Sequence, residues 1–104
     1  ANCSPEICDW IDTYESTFGN LPNIGSAYGY MYMDITAKAL EIAGRDLTTD
    51  SFLNALESIN DYKIPFGDTT LSWSPEKHLG ANVAYLFEVQ NGTFIQTDNK
   101  EYTY

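Results

Sequence analysis

The stretch from about Gly29 to Ala43 restricts this chain more than any other. Its spacing predicts a helix in which Asp34, Lys38 and Glu41 share one narrow polar stripe, with Asp34 and Lys38 set for an i,i+4 pair. Almost everything else is apolar: Tyr30, Met31, Tyr32, Met33, Ile35, Ala37, Ala39, Leu40 and Ile42. A helix that is apolar around most of its circumference is buried around most of it. One short helix and a hairpin supply too little cover, so this helix asks for more surface than the rest of the sequence offers. Gly44 suits its C′ position, and Arg45 complements its negative end.

The flanking segments read as two halves of different character. Residues 4–60 carry helical spacing and residues 69–96 carry alternation and turn signals. Ser4 followed by Pro5 and Glu6 predicts the start of a first helix, with an apolar stripe Ile7, Ile11, Tyr14, Phe18 and a stop at Gly19-Asn20 before Pro22. Asp9, Asp12 and Glu15 lie off that stripe and are read as a solvated face, not as an acid/base or metal cluster. Asn23-Ile24-Gly25-Ser26-Ala27-Tyr28 is the candidate for one short strand before the apolar helix.

A third helix is expected after Asp46-Leu47, capped by Thr48 or Thr49, with Phe52, Leu53, Leu56 and Ile59 on one side and an end near Asn60. Beyond Pro65-Phe66-Gly67-Asp68, Leu71 and Trp73 alternate with Thr70, Ser72 and Ser74. Residues 83–89 give the strongest strand signal, Asn91-Gly92 a two-residue hairpin turn, and Thr93-Phe94-Ile95 the return strand. The tail 97–104 is expected to be flexible, with Tyr102 and Tyr104 as its docking candidates. About three helices and a C-terminal antiparallel hairpin make an α+β inventory, with no run of buried parallel strands.

Charge removes some partners. Fifteen acidic against five basic side chains give a net charge near −10, which repels nucleic acid and anionic membrane alike. No apolar run approaches the roughly 20 residues of a membrane span. Ala1-Asn2-Cys3-Ser4-Pro5-Glu6 has neither the basic start nor the apolar stretch of a signal peptide, so a processed product or a piece cut from something longer is expected. Cys3 and Cys8 are close enough to pair in an exported protein, two reduced thiols being the alternative. Their spacing does not match redox or zinc motifs.

Catalytic chemistry finds little support. His78, the only histidine, sits in the turn Glu76-Lys77-His78-Leu79-Gly80, and a lone imidazole needs an oriented partner before it works as a base. No phosphate loop, nucleophile elbow, paired-histidine metal site or complete EF-hand loop is present, so neither an enzyme nor a cofactor or metal is expected. Asn91-Gly92-Thr93 fits the N-glycosylation pattern, but the hairpin turn explains the same residues.

The order of these segments nevertheless resembles a known family. Phe18-Gly19-Asn20-Leu21-Pro22-Asn23, then Ala27-Tyr28-Gly29-Tyr30 opening a helix that ends Ala39-Leu40-Glu41-Ile42-Ala43-Gly44, is similar to the C-terminal third of type I periplasmic solute-binding proteins. These are the branched-chain amino-acid, amide and aromatic-acid receptors of ABC transporters. Asp46-Leu47-Thr48-Thr49-Asp50, Leu56-Glu57-Ser58-Ile59, Leu71-Ser72-Trp73-Ser74-Pro75, His78-Leu79-Gly80 and the run Tyr85 to Gly92 continue the likeness over about residues 9–96. Cys3 and Cys8 are not a feature of it.

The resemblance implies a piece of an α/β fold of two doubly wound lobes that closes on a small solute and delivers it to a membrane permease. It implies a periplasmic or extracellular location and a solute such as a branched-chain or aromatic carboxylate. It places solute contacts where the backbone passes back between lobes, at Tyr28 above all, with Ser26, Ala27 and Tyr30. Two functions stand side by side: an extracytoplasmic solute-binding component of an ABC importer for amino acids or related carboxylates, present as a fragment, a separately encoded chain or a subunit completed by another polypeptide; or a secreted, non-catalytic interaction or self-assembling module.

Overall fold

The computed structural model describes residues 3–67 and 69–103, so the expected docking of Tyr104 and the start Ala1-Asn2 lie outside it. Helix α1 is Pro5–Phe18. Ser4 caps it, its Oγ accepting from the Ile7 N–H at 3.4 Å, and Gly19 closes it in the left-handed region at φ 74°. That φ is open to glycine at little cost.

Helix α2 is Ile24–Ala43, and it corrects the expectation of a strand over 23–28. The reason is a capping box. Asn23 Oδ1 accepts from the Ser26 N–H at 3.1 Å while Ser26 Oγ accepts from the Asn23 N–H at 3.3 Å, so the helix starts at Ile24 rather than Gly29. Reciprocal satisfaction of two orphan donors outweighs the helix-weak glycines Gly25 and Gly29. Helix α3, Thr49–Glu57, begins with the same device: Thr48 Oγ1 accepts from Ser51 N–H at 3.0 Å, and Ser51 Oγ accepts from Thr48 N–H at 2.8 Å.

Three antiparallel pairs follow. Strands β1 (Tyr62–Lys63) and β2 (Thr70–Leu71) pair with Tyr62 opposite Leu71. The expected single strand over 83–89 is divided into β3 (Val83–Ala84) and β4 (Phe87–Gln90). Between them the Leu86 carbonyl accepts from the Thr97 N–H at 2.9 Å, and the backbone changes partner there. Strand β4 pairs with β5 (Thr93–Gln96) through the Asn91-Gly92 turn, both residues having positive φ (51° and 78°). Strand β3 pairs with β6 (Tyr102–Thr103), which docks Tyr102. The described residues are thus α+β, three helices with small antiparallel pairs.

The core is small. Met31, Ile35 and Ala39 from α2 meet Ala55 of α3, Ile59, Tyr62 and Leu71, with Phe52, Leu56 and Trp73 packed around them. The other faces of α2 remain bare: Tyr32 is 60 %, Met33 67 % and Ile42 57 % exposed. The radius of gyration, 16.6 Å, exceeds the roughly 13 Å of a compact domain of about this length. Apolar surface that the sequence marks for burial is therefore left uncovered here.

Candidate functional site

The four residues singled out around the start of α2 are placed apart. Ser26 is committed to the capping box, and its Oγ also donates to Tyr14 Oη at 3.0 Å. The Ala27 N–H is taken by the Asn23 carbonyl at 3.1 Å, so the amides of Ser26 and Ala27 are already used within the helix. Tyr28 is half exposed and stacks on Tyr32, ring centroids 6.0 Å apart. Two residues on, Tyr30 points to the other side of the helix, as a turn of 3.6 residues requires.

Tyr30 enters an aromatic cluster. Its ring lies 5.6 Å from that of Trp10 on α1 and 5.9 Å from that of Phe66, while Trp10 and Phe66 are 4.9 Å apart. Tilted and edge-on contacts of this kind suit the ring quadrupoles. Trp10 continues along α1 into Tyr14 and Phe18 at i,i+4 spacing, with centroid distances of 5.7 and 4.6 Å. Phe66 arrives from the loop that joins β1 to β2, where the Ile64 N–H donates to Thr69 O at 3.2 Å.

The rings of Trp10, Tyr30 and Phe66 wall an open cleft of about 690 Å³ together with Ile7 and Pro65. Glu6, Lys63 and the cap Ser4 add polar groups at its margin. The Glu6 carboxyl is held below the ordinary carboxylate range by a backbone hydrogen bond in its own first turn, then by Ser4. Opposite charges thus stand at the margin of a partly exposed aromatic wall. Tyr30 is the one expected residue found there. Trp10, Phe66 and Lys63 were not singled out from sequence; the Trp10–Tyr14–Phe18 ladder was the available signal.

Cys3 and Cys8 are joined sulfur to sulfur, their Cα atoms 5.7 Å apart, and flank in sequence Ser4 and Ile7, which line the cleft. His78 Nε2 lies 2.9 Å from Glu57 Oε1 at the end of α3, and neither residue lines the cleft. Among the described residues, no group of three or more His, Cys, Asp or Glu side chains is placed to hold a metal ion.

The described residues thus present an open aromatic cleft on an α+β arrangement. The chain belongs to the periplasmic binding protein family: the family model of that description matches residues 2–93. Comparison with curated proteins returns no match, nor does comparison with solved structures. The family implies small-solute binding in association with an ABC transporter and an extracytoplasmic location, and it is typically non-catalytic. Among the described residues, no helix is long and apolar enough to cross a membrane.

Proposed function

We propose that this protein is the closing portion of a solute-binding component of an ABC importer, acting without catalysis on amino acids or related small carboxylates. The observation that carries the reading is the cleft of Trp10, Tyr30 and Phe66 beside Lys63. Rings of that kind pack against a branched or aromatic body, and the ammonium faces a carboxylate. Ser26, Ala27 and Tyr28 stand outside this cleft and contribute through the helix start that holds Tyr30. The uncovered faces of α2 are where the rest of the receptor or a complementary chain packs.

Calorimetric titration of the protein with its complement, using branched-chain and aromatic carboxylates, tests this. Binding that weakens about tenfold in Trp10→Ala and Lys63→Met is expected, a tenfold change being about 1.4 kcal/mol. Absence of binding to any of them by the completed receptor overturns the reading.

A second reading, a secreted interaction or self-assembling module, is favoured by the β4–β5 ribbon. Phe87, Val89 and Phe94 share one face of it and are 55 %, 65 % and 76 % exposed. Light scattering decides between the two: a mass that grows with concentration supports self-assembly, a dispersed monomer does not.

A further inference from the structure

We propose that Asn91 is a site of spontaneous covalent modification, its side-chain amide cyclising onto the backbone nitrogen of Gly92. Asn91 is the only asparagine in the sequence followed by glycine. Both residues are exposed at the tip of the β4–β5 ribbon, and no hydrogen bond holds the Asn91 amide among the described residues. The neighbouring residue has no Cβ to obstruct approach to its nitrogen. That combination exposes both the electrophile and the nucleophile.

The step balances with water alone. The Gly92 nitrogen attacks Asn91 Cγ, a C–N bond forms, and the Cγ–Nδ2 bond breaks to release ammonia, which carries away the proton of the Gly92 N–H. Water then opens the five-membered imide. Cleavage of the bond between Cγ and the imide nitrogen gives aspartate. Cleavage of the bond between the Asn91 carbonyl carbon and that nitrogen gives isoaspartate, in which the backbone runs through Cγ. No oxidant, reductant or enzyme enters.

Cyclisation requires the turn to leave its native conformation, and the ribbon resists this weakly. Strands β4 and β5 pack on no other element among the described residues. An isolated two-stranded hairpin is marginal in water, so its tip opens at little cost. Each conversion replaces a neutral amide by a carboxylate on a protein already near −10. Isoaspartate also lengthens the backbone inside a two-residue turn, which breaks the pairing of Gln90 with Thr93. A glycan on Asn91 Nδ2 would block the same reaction, so the two fates of this residue exclude each other.

The full-length protein is incubated in mildly alkaline buffer at physiological temperature, and peptide mapping by mass spectrometry follows the exchange of amide NH2 for OH at every asparagine. Asn91 is expected to convert about tenfold faster than any other asparagine, because its successor alone lacks a Cβ. Aspartate and isoaspartate should appear together. Conversion no faster than at Asn54 or Asn99, or aspartate as the single product, overturns the proposal. Gly92→Ala should slow conversion by about tenfold for the same steric reason, and an unchanged rate overturns cyclisation. If that variant unfolds, a lower rate still reports the Cβ, since unfolding removes only conformational protection. Thr93→Ala deletes the glycan pattern and should leave the rate as it is; a marked fall in rate counts against the mechanism.

Discussion

The Tyr62 hydroxyl donates a 2.7 Å hydrogen bond to Asp34 Oδ2, tying β1 to the polar stripe of α2. Tyr62 is buried, and Lys38 Nζ, one turn beyond Asp34, lies 6.0 Å from the centroid of its ring. The stripe of α2 is thus the side on which the β1–β2 pair is fastened, with charge and ring in register.

Tyr62→Phe keeps the ring and deletes the bond. A stability loss of about 1–2 kcal/mol is expected, since the lost hydrogen bond is to a carboxylate that regains water only in part. Burial first, and then Asp34, raise the Tyr62 phenol above its ordinary 10.0. The folded protein therefore keeps a proton that the unfolded one releases. The associated stability is present below about pH 10 and is lost as pH rises beyond it. Urea melts over an alkaline series should show this loss in the wild type and a flatter limb in Tyr62→Phe.

How far sequence alone reached is visible at the helix ends. Ser4-Pro5-Glu6 and Thr48 were legible because each local signal agreed with the pattern behind it. Asn23 was not, because Ile24-Gly25-Ser26-Ala27 carries a glycine and a β-branched residue that lower the helical reading, and only the reciprocal Asn23–Ser26 contact reverses it. The apolar excess of α2 was legible, and Met33 and Ile42 stand exposed as that excess requires. The cleft was not: Trp10 and Phe66 are distant in sequence and meet only because the β1–β2 loop brings Phe66 to α1. No periodicity encodes such a meeting.

Two residues of α2 separate the covered face from the bare one. Ile35 is 7 % exposed and Met33 67 %. Ile35→Ala should cost about 2–4 kcal/mol through lost burial and a cavity. Met33→Ala in the same background should stay within about 0.5 kcal/mol. Urea denaturation measures both, and a large loss at Met33 would show that its face is covered in solution.

Two glycines should answer alanine with opposite signs. A Cβ on Gly80 would stand 2.6 Å from Trp73 Cζ2 and 2.8 Å from its Cε2, and Trp73 packs on the core. Gly80→Ala should therefore cost about 1–3 kcal/mol and change the near-ultraviolet dichroism of the indole. A Cβ on Gly29, inside α2, meets nothing within 4 Å. Gly29→Ala should stabilise the fold by roughly 0.5–1 kcal/mol, because it removes backbone freedom that the helix otherwise has to freeze. Thermal melts followed by far-ultraviolet dichroism rank the pair, and a stabilising Gly80→Ala would contradict the close approach to Trp73.

The capping box at Asn23 determines where α2 begins, and so whether Tyr30 sits in a helix already formed beneath the cleft. Asn23→Ala removes the acceptor for the Ser26 N–H and should cost about 1 kcal/mol. Ser26→Ala removes the return bond to the Asn23 N–H and the donor to Tyr14 Oη, so it should cost at least as much. Because the two side chains satisfy each other's backbone, the double variant should lose less than the sum of the singles. Asn23→Asp should be tolerated, its carboxylate accepting the same bond with the added favour of the helix dipole. Helical content by far-ultraviolet dichroism, read beside urea melts, checks all four variants. Strict additivity would mean that the box contributes nothing as a unit, and that packing alone sets the start of α2.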